Sequence, residues 1–361
     1  MGIQENYGLR FGTLPPGEKD AITDVPGVAV GHATVIAGSD IRTGVTAIIP
    51  HPGDLFHEKV QAAAVVLNGF GKSIGIPQIN ELGTIETPIL LTSTLSVGRA
   101  ADALITWVIK HYDQPDSPIR SLNPVVGECN DSYLNDIRAR AVTEEHVYAA
   151  LDGASDGPVR EGVVGAGTGM SAFGFKSGIG TASRLVEYAG RAYTIGVLAL
   201  PNFGRREELT ILGVPIGRLL PPESDAPEGD KGSIIIVIGT DLPLSHRELR
   251  RLAVRAGLGL ARTGSRGHSG SGDFVIAFST ANRVPHHEET IFLQETRLND
   301  AHRGIDRAFQ AVIEAVEEAI VSALFHAHSV TGRDGHTREA LPIARVLELL
   351  RSRGALIQPG D

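Results

Sequence analysis

Residues 246–262 (HRELRRLAVRAGLGLAR) set Leu249, Leu252, Ala253, Ala256 and Leu260 at helical spacing and predict an amphipathic helix. Shortly after it, Phe274-Val275-Ile276-Ala277-Phe278 is an unbroken apolar run of β-branched and aromatic residues, the pattern of a short buried strand. Apolar runs predict further strands over 45–49, 62–67, 191–200 and 234–238, and residues 21–35 read as strand-turn-strand about Pro26-Gly27. Val125-Val126 begins a strand that ends in the polar cluster around Glu128 to Asp131. Helical spacing returns over 100–110, 146–152 and 307–328, the last with the stripe Phe309, Val312, Ile313, Val316, Ile320 and Leu324. Residues 69–86, with their Gly-Ile-Pro punctuation, read as loops, and 113–118 as a plain linker. The segment 221–231 (PPESDAPEGDK) reads as a surface loop, and 284–303 as polar and irregular. Strands in groups, interspersed with helices, predict an α/β chain of layered sheets covered by helices.

Glycine changes that picture at one place. It makes up 43 of 361 residues and concentrates in 162–180, where Gly165-Ala166-Gly167-Thr168-Gly169 suggests a nucleotide loop. The spacing is neither G-x-G-x-x-G nor a P-loop, and no helical pattern follows it. Tight turns of strands against a core are the better account. The net charge of −9 argues against non-specific nucleic-acid binding, which needs a basic patch. No apolar run reaches the length of a membrane span, and the first residues lack the basic start and apolar core of a signal peptide. The single Cys129 excludes an intrachain disulfide and fits a reducing compartment, so a cytoplasmic location is expected.

Between the helix at 246–262 and the strand at 274–278 lies Gly264-Ser265-Arg266-Gly267-His268-Ser269-Gly270-Ser271-Gly272-Asp273. A Gly-Ser bond in a loop abutting a rigid strand suits an N-terminal-nucleophile hydrolase. The hydroxyl of Ser271 attacks the carbonyl of Gly270, the chain divides, and the freed α-amine becomes the serine's own base. Such an amine titrates at about 7.7–8.0, so it accepts a proton near neutral pH without a histidine. Ser265 also follows a glycine, but loop separates it from the strand and its geometry would be poorly held. Taken alone, the Gly/Ser composition of the stretch favours a surface loop between helix and strand. His286-His287 and His326-x-His328 invite a metal. The second pair lacks the i, i+4 spacing of helical zinc ligands and the first lies in a polar loop, so no metal is expected.

The words around Ser271 carry a resemblance. HSGSGDFVIAFSTAN (268–282) is similar to the cleavage-site motif of the DmpA family, the L-aminopeptidase/D-amidase/D-esterase group that includes the β-peptidyl aminopeptidases. AITDVPGVAVGHATV (21–35), VVGECNDSYLNDI (125–137), VGAGTGMSAFGFKSGIGTASR (164–184), LPNFGRREELTILGVPIG (200–217), GSIIIVIGTDLPL (232–244) and EAVEEAIVSAL (314–324) also match, in family order. The resemblance implies a four-layer α-β-β-α sandwich of the DmpA/ornithine-acetyltransferase type, one domain over 1–361. It implies cleavage into an α chain 1–270 and a β chain 271–361, a homo-oligomer (a tetramer of αβ units), and no cofactor. The implied reaction is release of N-terminal residues from small peptides, amides or esters that carry a free amine.

Site residues follow from the same resemblance. Ser271 is the nucleophile and Asn202 the oxyanion donor, where composition alone would make Asn202 a turn residue. Glu128 binds the substrate ammonium and Tyr133 assists at the catalytic site, while Asp131 reads as a cap. Glu318 matches a family site glutamate, but the position two before it, usually Ser or Thr, is Val316 here. Helical geometry puts the two about 200° apart, with Val316 in the core stripe and Glu318 exposed. Acyl transfer of the ornithine-acetyltransferase type, or a binding protein that keeps the fold without turnover, are the alternatives.

Overall fold

The computed structural model describes residues 2–220, 232–287, 291–292, 294–301 and 304–356. The expected loop at 221–231 and part of the segment 284–303 therefore lie outside the described residues. Two β-sheets form the middle of the molecule. The first holds β1 (Ala29–Ala37), β2 (Ile41–Ile49), β5 (Ile89–Ser93) and β6 (Val125–Cys129), in the order β1-β2-β5-β6. The second holds β3 (Glu58–Gly69), β4 (Thr84–Ile85), β9 (Gly180–Tyr188), β10 (Arg191–Asn202), β11 (Ser233–Thr240) and β12 (Gly272–Pro285), in the order β4-β3-β12-β11-β10-β9.

Three separate apolar cores account for the layers. Ile235, Val237, Phe274, Ile276 and Phe278 of the second sheet meet Val125, Ile89 and Leu91 of the first, and this core lies between the sheets. On the outer face of the first sheet, Leu90 and Val126 pack against α3 (Val97–Tyr112) and α4 (Glu144–Asp152). On the outer face of the second, Val197, Ile236, Val275 and Ala277 pack against α6 (His246–Arg262) and α7 (Asp306–Phe325). The result is the expected α-β-β-α sandwich. Because β11 is buried on both faces, its sequence reads Ile-Ile-Ile-Val-Ile without alternation.

β11 and β12 are parallel and joined through α6, a βαβ unit that brings the start of β12 beside the start of β11. Ser233 pairs with Gly272, and on the other side of β11 Ser233 pairs with Asn202. Gly272 in turn faces Gly69, the last residue of β3. One end of the second sheet thus gathers the ends of β3 and β10 with the beginning of β12.

Several elements depart from the sequence expectation. Ile76–Leu82 is a helix, α2, inside the segment read as loops; Pro77 sits in its first turn, where its missing N–H costs nothing. Ile22–Asp24 is a 3-10 turn rather than a strand, and β9 was not expected at all. Helix α8 (Ile343–Ser352) was likewise not expected. The glycine run folds as a buried 3-10 turn, Gly165–Gly169, where Gly165 takes φ 52° and a side chain on Gly44 of β2 would run into its carbonyl. After that turn come the two-residue strands β7 (Ser171–Ala172) and β8 (Phe175–Lys176). Near the end of the chain, β13 (Val330–Thr331) and β14 (Thr337–Arg338) make another small hairpin.

Candidate active site

The segment before Ser271 is pinned, not free. The Ser271 backbone N–H donates to the His268 carbonyl at 2.9 Å, closing a turn over Ser269 and Gly270. Asn68, near the end of β3, turns its amide onto the same segment. It donates to the carbonyls of His268 and Ser269, each at 3.2 Å, and to that of Ser271. The Phe70 N–H adds a bond to the Ser271 carbonyl at 3.3 Å. Further back, Glu208 takes both His268 Nε2 at 3.0 Å and Arg266 Nε at 3.4 Å. Both sides of the Gly270–Ser271 bond are therefore held.

Ser271 is buried, and its Oγ donates to Asp273 Oδ1 at 2.5 Å. Ser271 immediately precedes β12, whose register against β3 shifts between Asp273 and Phe274; beyond that point Val275 and Ala277 face the helices. A Cβ on Gly232 would stand 3.0 Å from Ser271 Oγ and 2.8 Å from Phe203 Cβ. Glycine at that position leaves the hydroxyl its place. Burial raises the Asp273 carboxyl above the ordinary aspartate value; the Ser271 hydrogen bond and the nearby His268 oppose the rise.

Asn202 ends β10 with the parity of Leu198 and Leu200, which face the core between the sheets. Its Oδ1 accepts the Ser171 N–H at 3.0 Å, and its Nδ2 donates to the Asn130 carbonyl at 2.8 Å. The turn that carries Ser171 is itself tied down by Lys176, which is fully buried. Lys176 Nζ donates to the carbonyls of Met170 at 2.8 Å, Gly167 at 3.1 Å and Ser177. Desolvation lowers this ammonium to about 7.

Glu128, at the end of β6, is buried. It accepts the Lys72 N–H at 2.8 Å and the Thr94 hydroxyl. A Cβ on Gly71 would meet both Glu128 Oε1 and the Phe274 ring, so Glu128 reaches the turn that flanks Ser271 and β12. Tyr133 stacks on His336 at 4.7 Å, with the Arg338 guanidinium 3.7 Å over its ring; the β13–β14 hairpin holds it. Asp131 caps no helix. It is buried in a turn, accepts Ser93 Oγ at 2.8 Å and Asn135 Nδ2 at 3.0 Å, and burial pushes its carboxyl up to about 6.

Glu318 is not exposed. Nearly every residue of α7 from Ala308 to Phe325 is buried, because the helix is covered on all sides, so the stripe argument fails there. Glu318 Oε2 meets Arg184 Nη2 at 2.6 Å and Gln4 Nε2 at 2.7 Å, and burial drives its carboxyl well above the ordinary value. Arg184 stands on β9, three strands from β12 and about 14 Å across the sheet at the usual strand spacing. It is level with Ser279 rather than Gly272. Glu318 thus joins Arg184, Asp20 and Glu314, away from the end of the sheet where Gly272 and Asn202 flank Ser233.

Sequence reasoning missed Asp273, Asn68 and Glu208. The alternation of side chains along β12 was the available signal for Asp273; nothing local in the sequence points to the other two.

The model of peptidase family S58 matches residues 20–338. The chain belongs to that family. It is a hydrolase, a serine aminopeptidase of the DmpA type with an N-terminal serine nucleophile. Among curated relatives, β-peptidyl aminopeptidase BapA of Sphingosinicella microcystinivorans is 40% identical over 360 residues, covering 93% of this chain and 89% of the relative. Among solved structures, a Pyrococcus horikoshii protein is 50% identical at a TM-score of 0.92, covering 98% of this chain and 99% of its own. The L-aminopeptidase D-Ala-esterase/amidase of Ochrobactrum anthropi, described as a variant of the Ntn-hydrolase fold, is 40% identical at a TM-score of 0.91, covering 98% and 99%. No described helix of this member of family S58 is long and apolar enough to cross a membrane.

Proposed function

We propose that Ser271 is the nucleophile of this S58 enzyme, released by cleavage of the Gly270–Ser271 bond into chains 1–270 and 271–361 that remain one folded unit. The observation that carries this reading is the held turn at 268–271, which delivers a buried Ser271 hydroxyl to the head of β12. Once free, the Ser271 α-amine takes the proton from Oγ as it attacks the first peptide, amide or ester carbonyl of a substrate. Water then releases the acyl-enzyme.

Asn202 is the oxyanion donor in this scheme, its amide oriented by the Asn130 carbonyl on Nδ2 and the Ser171 N–H on Oδ1. Glu128 receives the substrate's ammonium group, and the Tyr133 hydroxyl assists the tetrahedral intermediate. Glu318 is assigned to holding α7 against β9, through Arg184. The substrate class is short peptides and amides with a free N-terminal amine. The similarity to BapA and to a Burkholderia β-aminopeptidase supports N-terminal β-amino acids among them. A cytoplasmic homo-oligomer is part of the proposal, in keeping with the single buried cysteine. Release of β-alanine and of L-alanine from their p-nitroanilides tests the substrate class; failure to hydrolyse either would remove it.

A further inference from the structure

The amine that serves as base during turnover does not exist before cleavage. In the intact chain the Ser271 nitrogen is an amide whose N–H is donated to His268. The first proton transfer from Ser271 Oγ must go elsewhere. A base must lie within hydrogen-bond reach of the proton it removes. Asp273 Oδ1 is at 2.5 Å.

The other groups of the region are otherwise engaged. His268 turns its Nε2 to Glu208. Glu128 spends its two oxygens on the Lys72 N–H and on Thr94. Glu318 is bound to Arg184 three strands away, and Val316, two residues before it, has no proton to exchange. We propose that Asp273 is the general base of self-processing. The inference rests on the reading of Ser271 as the nucleophile and adds the residue that starts the reaction.

The step balances as follows. The Asp273 carboxylate takes the Oγ proton while Oγ bonds to the Gly270 carbonyl carbon, giving a tetrahedral oxyanion. The carbon–nitrogen bond then breaks, and the proton held on Asp273 passes to the leaving nitrogen, which becomes the Ser271 α-amine. Gly270 is left as an ester on Oγ, and water hydrolyses that ester to the Gly270 carboxylate and the free hydroxyl. Burial of Asp273, which raises its carboxyl, makes it a stronger base than an exposed aspartate. Among the described residues the titratable groups that interact with it are His268 on the loop side, itself paired with Glu208, and Cys129 on β6.

The experiment follows precursor conversion by intact mass over a pH series, for the full chain and for Asp273→Asn, Asp273→Ala and Asp273→Ala with added formate. Wild-type conversion should slow as pH falls through the raised Asp273 value, since only the carboxylate accepts the proton. Asp273→Asn should convert about 10²–10⁴ times more slowly and lose that acid limb, the usual contribution of a general base. Formate should restore part of the rate in Asp273→Ala, an effect that a purely structural aspartate would not show. Asn conversion at the wild-type rate, or a pH-independent wild-type rate, overturns the inference. If the Asn variant fails to fold, the wild-type acid limb and the formate response decide. A wild-type chain that never divides at Gly270–Ser271 overturns the reading of Ser271 instead, so the two failures are distinguishable.

Discussion

The backbone N–H of Ser171 donates to Asn202 Oδ1 at 3.0 Å, while the Asn202 amide nitrogen donates to the Asn130 carbonyl. Both partners are main-chain groups of fixed polarity, so the amide can point only one way. A donor fixed before the reaction costs no reorganisation when negative charge develops. Asn202→Ala should therefore leave a folded protein with turnover lowered about 10²–10³-fold, the cost of one oxyanion donor. Self-processing should slow as well, since it passes through the same kind of intermediate. Unchanged rates in both assays would return Asn202 to a turn role.

Glu128 separates the two reactions. The Gly270–Ser271 bond presents no ammonium group before cleavage, whereas a substrate does. Glu128→Gln should self-process and then lose activity towards free-amine substrates by about 2–5 kcal/mol, the usual cost of breaking a desolvated charge pair. N-acetylated substrates should not be cut by the wild type. An unprocessed Glu128→Gln chain, or N-acetylated substrates cut as fast as free ones, would assign Glu128 to its bonds with Lys72 and Thr94 alone.

Lys176 links stability to pH. Its ammonium falls from the ordinary 10.5 to about 7 in the folded chain. Between those values the unfolded state binds a proton that the folded state does not, so this group's contribution to stability rises with pH across that window. Comparing the wild type with Lys176→Met in urea at pH 7 and pH 9.5 should show the difference in stability growing in favour of the wild type at the higher pH. A constant difference would contradict the lowered value.

Glu318 gives the opposite sign. A carboxyl raised in the folded state contributes stability at low pH that is lost as pH rises above about 4.5, the unfolded value. Glu318→Gln should gain on the wild type as pH increases from 4 to 8, and Arg184→Met should lose about 3–5 kcal/mol because three carboxylates are left without their guanidinium. If Glu318→Gln instead slows self-processing about 100-fold with no change in stability, Glu318 acts at Ser271 and the structural assignment is wrong.

The sequence made the scaffold of the site legible where a single period dominated. Helix α6 spans the residues its spacing marked, and the apolar run at 274–278 lies within β12. Position within the layers was not legible from one segment. Glu318 looked exposed because a stripe argument assumes one buried face, yet α7 is enclosed by β9, β10 and α6. Helix α2 was hidden by Gly75 and Pro77, which read as loop punctuation but stand at its first residues. The bonds from Asn68 to the turn join residues some 200 positions apart, and only the pairing of β3 with β12 brings them together.

The central claim is that Ser271 becomes a chain terminus, and the intact mass of the purified mature protein tests it most directly. Scaling 38.2 kDa by 270/361 and 91/361 predicts fragments of about 28.6 and 9.6 kDa, the smaller beginning Ser-Gly-Asp-Phe, as an intramolecular attack by an activated nucleophile requires. Ser271→Ala should give a single full-length mass. A full-length wild-type chain with aminopeptidase activity, or fragments that divide at any other bond, would contradict the account.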